Sequence, residues 1–99
     1  MITIDDANKI FKEYVIIQSS KTLYDFVPLF DYTITFEYGW VFFYQNKKFL
    51  ETKNVLDKSV GNSPVIIDKN DGSINITGSA NPVEKYIDEY VKRMSKGNK

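Results

Sequence analysis

Apolar side chains recur at helical spacing near both ends of the chain and alternate with polar ones through its middle. Near the start, Ala7, Ile10, Phe11, Tyr14 and Ile17 share one helical face. Thr3 stands where an N-cap would, with Asp6 three residues on, and Asp5 and Asp6 both suit the positive end of a helix. The pattern predicts a helix from Ile4 to Ile17. Ser19 to Leu29 has no clean period, which ends that helix before Pro28. A second helix is predicted near the C-terminus. Asn81 caps it, Pro82 takes the first helical position, Glu84 completes the box, and Val83, Tyr86, Ile87, Tyr90, Val91 and Met94 form one stripe.

The middle reads as two hairpins. Tyr32, Ile34 and Phe36 alternate with Thr33, Thr35 and Glu37, and after Gly39 the set Trp40, Phe42 and Tyr44 alternates with Val41, Phe43 and Gln45. A two-residue turn at Tyr38-Gly39 would set Trp40 opposite Glu37. A three-residue turn with Gly39 at the left-handed position would set Phe36 opposite Trp40 and Ile34 opposite Phe42. The second register is preferred, because it buries more aromatic area on a single face. It leaves Thr33, Thr35, Val41, Phe43 and Gln45 on an open face. Pro64 to Asp68 and Ser73 to Thr77 form the second hairpin around Asp71-Gly72, with Ile74 and Ile76 facing inward and a turn of two or three residues. The expected fold is α+β: helix, two antiparallel hairpins making a roughly four-stranded sheet, helix, with both helices on one face. Residues 1–95 make the single domain, and 96–99 a frayed tail.

Composition narrows the chemistry. The 99 residues contain no cysteine and no histidine, and 13 basic side chains balance 13 acidic ones. Disulfides, thiol nucleophiles, iron–sulfur clusters, thiolate zinc sites, Ser-His pairs and imidazole metal ligands are therefore excluded. Zero net charge speaks against nucleic acid as a partner, since its binders neutralise phosphates with clustered cations. The first thirteen residues lack the basic start and apolar run of a signal peptide, and no stretch has the length of a membrane span. A cytoplasmic protein without membrane contact is expected.

Individual motifs yield no active site. Counted from Asp68, Gly72 falls at position 5 of a would-be calcium loop and Ser79 at position 12, so Asp68 to Gly72 reads as a hairpin turn. Asp5 and Asp6 are explained by the helix start, and Asp88 and Glu89 by a charged helix face shared with Lys85 and Lys92. Glu51 and Asp57 have no recognisable partner. Gly61-Asn62-Ser63-Pro64 lacks the closing glycine of a nucleophile elbow, and the strand around Trp40 lacks the interleaved cations of an RNA platform. No enzyme activity, metal or cofactor is expected.

Taken in order, certain segments resemble the immunity protein 35 family: Gly39-Trp40-Val41-Phe42-Phe43-Tyr44, then Phe49-Leu50-Glu51-Thr52, then Gly61-Asn62-Ser63-Pro64-Val65-Ile66-Ile67-Asp68. Gly72, Ile74, Thr77-Gly78 and Pro82-Val83-Glu84-Lys85-Tyr86-Ile87 leading to Tyr90 continue the likeness, which covers about residues 36–90. Lys53-Asn54 departs from the Gly-Asp common in the family, so the resemblance does not define the shape of the 53–60 loop. The resemblance implies a non-catalytic cytoplasmic immunity protein of a bacterial polymorphic toxin system, which binds and neutralises the toxin domain encoded beside it. Exposed apolar groups rimmed by polar ones are the candidate contacts. By that criterion they are Phe43 with Thr35 and Val41 on the open sheet face, then Tyr24 and Phe26 after the first helix. For Tyr24 and Phe26 the competing expectation is that they fold back over the core. The competing function is a stand-alone chaperone-like module, or a homodimer built on the open face; a minimal carboxylate or tyrosine enzyme comes third.

Overall fold

The computed structural model describes residues 1–22, 24–53 and 63–97. Asp57, Gly61, Asn62 and most of the expected 53–60 loop lie outside the described residues. The elements run α1 (Ile4–Ser20), β1 (Phe26–Pro28), a 3₁₀ turn (Phe30–Tyr32), β2 (Ile34–Phe36), β3 (Gly39–Phe42), β4 (Tyr44–Asn46), α2 (Lys47–Thr52), β5 (Val65–Asp68), β6 (Ile74–Ile76) and α3 (Val83–Gly97). The fold is α+β, as expected. Its main sheet is antiparallel in the order β2-β3-β5-β6, and β1 pairs with β4 in a separate two-stranded ribbon.

Local chemistry sets the helix ends. The Thr3 hydroxyl accepts from the Asp6 N–H at 3.2 Å, and the Asp6 carboxylate accepts from the Thr3 N–H at 3.1 Å, a reciprocal capping box. These bonds hold the Asp6 carboxyl below its ordinary value. Asn46 caps α2 by accepting from the Lys48 N–H at 3.2 Å, and Lys53 closes it in the left-handed region at φ 57°. The α3 helix extends to Gly97, two residues into the expected tail.

The two long helices lie on opposite faces of the sheet, a correction to the expectation that both cover one. Trp40, Phe42, Val65 and Ile67 pack with Ala7, Phe11 and Val15 of α1, whereas Val41 and Ile66 pack with Tyr90 of α3. Because successive strand residues point to opposite sides, β3 and β5 are buried along their whole length and carry apolar residues at nearly every position. The hairpin register differs accordingly. Phe36 pairs with Gly39, Thr35 with Trp40 and Ile34 with Val41, so the turn is Glu37-Tyr38. Gathering every aromatic on one face is no advantage once α3 covers the other. Ile34, Phe36 and Tyr38 pack under α3, while Trp40 and Phe42 pack under α1. Gly39 sits at φ +152°, where a Cβ would collide with the Ile67 carbonyl oxygen, so that tight approach requires glycine.

Asp68 to Gly72 is a hairpin turn, as read. Its loop has four residues, 69–72, against the two or three expected, and closes with the Gly72 N–H donating to the Asp68 carbonyl at 2.8 Å, with Gly72 at φ +73°. Ile74 and Ile76 do not face a packed core. They share the α1 side of the sheet with Val65 and Ile67, but α1 lies over β1 and β3, leaving them 40% and 67% exposed.

Candidate functional site: an apolar groove beside β4

The α1 side is filled by rings. Phe11 stacks on Phe42 at 4.9 Å between centroids and meets Phe30 and Tyr44 edge-on at 6.2 and 6.0 Å. Phe26 stands perpendicular to Tyr44 at 5.0 Å, so it folds back over this core, and Tyr24 contacts Phe26 at 5.6 Å while remaining 41% exposed. Burial pushes the Tyr44 hydroxyl well above the ordinary tyrosine range, with the neighbouring Tyr14 hydroxyl adding to the shift.

The α3 side has a polar centre. The Tyr90 hydroxyl donates to Asp68 Oδ2 at 2.6 Å, and Asp68 Oδ1 accepts from the Asn70 N–H at 2.8 Å. Asp68 is 2% exposed and Tyr90 5%, so this carboxyl is buried with donors on both oxygens. Burial, then the bond to Asp68, drives the Tyr90 hydroxyl far above its ordinary range. The Arg93 guanidinium carbon lies 5.0 Å from the centre of the Tyr90 ring. Beside this centre a cleft of about 190 Å³ is lined by Asn75, Thr77, Tyr86, Glu89 and Arg93, among others.

A larger groove of about 480 Å³ opens at the opposite edge of the sheet. Leu29, Tyr32 and Ile34 reach it from the passage between β1 and β2, Phe43 and Gln45 from the crossing into β4, and Phe49 and Leu50 from α2. Six of these seven side chains are apolar or aromatic, and Tyr32 is 67% exposed. The Leu29 N–H donates to the Phe43 carbonyl at 2.8 Å, which fixes the two sides of the groove to each other.

The five residues singled out from sequence are not brought together. Phe43 lines the groove and packs against the α3-side cluster. Val41, expected on an open face, is fully buried beneath α3 and is unavailable as a contact. Thr35 is exposed but pairs with Trp40 and so belongs to the α1 side, away from Phe43. Tyr32, Phe49 and Leu50 were missed as groove residues. Phe49-Leu50 stood out only within the family pattern, although an apolar pair immediately after two lysines was the available signal.

Among the described residues no cluster of three acidic side chains is placed to hold a metal ion, and no helix is long and apolar enough to cross a membrane. The geometry defines a small α+β domain in which one sheet lies between two helices and an apolar groove opens at its edge. The model of the immunity protein 35 family matches residues 30–89, more than half of the chain, and the protein belongs to that family. The chain is also similar to the uncharacterized protein YrhB of Escherichia coli strain K12, 40% identical over 47 residues, which are 48% of this chain and 50% of that protein. The chain thus spans about half the length of the curated relative it matches. No solved structure gives a significant match.

Proposed function

We propose that this protein is an immunity protein that binds the toxin domain encoded by a neighbouring gene and blocks it by occlusion, without catalysis, in the cytoplasm of the producing cell. Membership of the immunity protein 35 family carries the proposal. The groove around Phe43 supports it, because a concave apolar surface with an exposed tyrosine at its margin has the composition of an interface centre. Tyr32 and Phe43 would be buried against the toxin, with Tyr24 and Thr35 at most peripheral. Phe26 acts as support, holding Tyr44 and the β1–β4 ribbon in place.

Co-expression with the adjacent toxin domain tests the function. Cells making both proteins should grow, and cells making the toxin with a Tyr32→Glu variant should show weakened protection. A folded, soluble wild-type protein that fails to rescue growth overturns the assignment. Retained full protection by Tyr32→Glu would instead move the contact surface away from the groove.

A further inference from the structure

Among the described residues the main sheet ends in two unpaired edges, and they differ. In β5 and β6 the Asp68 N–H donates to the Ser73 carbonyl at 3.0 Å and the Thr77 N–H to the Pro64 carbonyl at 3.2 Å. With Ile66 opposite Asn75, the backbone groups of Ser73, Asn75 and Thr77 turn toward β5 and those of Ile74 and Ile76 turn outward. The outer edge of β6 thus offers two N–H and two C=O groups in a row, flanked by isoleucines that are 40% and 67% exposed. Ser73-Ile74-Asn75-Ile76-Thr77 contains no charge and no proline, the usual devices against edge pairing. The β2 edge is blunter. Among its three residues only Thr35 turns its backbone outward, and the charged Glu37 follows the strand directly.

We propose that β6 pairs antiparallel with β6 of a second copy of this chain, making one continuous sheet across a two-fold axis. The sequence is self-complementary about Asn75. Setting Asn75 opposite Asn75 of the partner subunit places each Ile74 opposite an Ile76 on the same face, an isologous match. It also makes Ile74–Ile76 the hydrogen-bonded pairs, which gives four main-chain bonds, while four isoleucines close over the α1 side of the seam. On the other side each copy presents Glu89 and Arg93 beside Asn75, and neither has an ion-pair partner among the described residues. One short strand buries less than the about 1,200 Å² typical of stable interfaces, so the dimer is a concentration-dependent one. The apolar groove lies at the β2 edge and stays open in both copies.

Purified protein alone tests this, so its outcome is separate from that of the toxin assay. Sedimentation velocity from low micromolar to millimolar concentration should show the mass rising from monomer to dimer. Ile76→Lys should abolish the rise with the circular dichroism spectrum and melting temperature retained. Ile74→Pro removes an outward-facing donor and one seam side chain while breaking no bond to β5, and should do the same. Hydrogen exchange on the unaltered protein gives a readout that needs no variant: the Ile74 and Ile76 amides should slow as concentration rises. A monomer at every concentration, a dimer surviving both substitutions, or exchange at these amides independent of concentration overturns the proposal.

Discussion

The two faces of the sheet are built from different materials. Under α1 the contacts are among rings and aliphatic chains, with Phe11 at the hub of Phe30, Phe42 and Tyr44. Under α3 the centre is a hydrogen-bonded pair, Tyr90 on Asp68, with apolar residues around it. Ring packing tolerates small errors of distance and gains from every buried carbon, whereas a buried carboxyl tolerates only an arrangement that satisfies it. The α1 face therefore supplies most of the cohesion, and the α3 face fixes where its helix must sit.

That difference is open to direct attack. Removing the hub should do most damage: Phe11→Ala should cost about 3–5 kcal/mol in denaturant unfolding, by loss of transfer energy plus a cavity. A loss well under 1 kcal/mol would show that the rings do not act as a common core. Tyr90→Phe keeps the ring and deletes the hydroxyl, leaving Asp68 Oδ2 without its donor; about 1.5–3 kcal/mol should be lost. Both tyrosines with raised values, Tyr44 and Tyr90, should resist ionisation. Their contribution is complete below the ordinary tyrosine value and declines above it, because the unfolded chain ionises first. In an ultraviolet titration, ionisation of Tyr44 and Tyr90 should appear only with loss of the fold. The smallest effect belongs to the exposed capping box. Thr3→Ala should cost about 1 kcal/mol. Because the Asp6 carboxyl value is lowered in the fold, its part of that stability is present at neutral pH and fades as the solution is acidified through the carboxylate range. The penalty of Thr3→Ala should shrink in acid, which paired melts at two pH values would check.

Much of this was legible because it is local. The Thr3–Asp6 box, the α3 stripe and the turn at Asp71-Gly72 each declare themselves within a few residues. The number of covered faces is not local. Continuous apolar runs at Trp40 to Phe43 and Val65 to Ile67 fit a strand buried on both sides, yet a one-face reading explained the same letters by moving the turn. From that error followed the placing of Val41 in the open, when α3 covers it. The groove was only partly legible, since Phe43 was named but Tyr32 and Phe49 reach it from elements that no sequence period joins.

A relay of main-chain bonds has a practical consequence. The Ile2 N–H donates to the Lys69 carbonyl and the Lys69 N–H to the Tyr38 carbonyl, each at 2.8 Å, tying the amino terminus to both hairpin tips. Phe43 and α2 lie beyond the other end of β3 from those tips. A dye or surface linker attached ahead of Met1 is thus carried at the pole remote from the concavity, and an immobilised molecule presents that concavity outward to whatever is flowed across it.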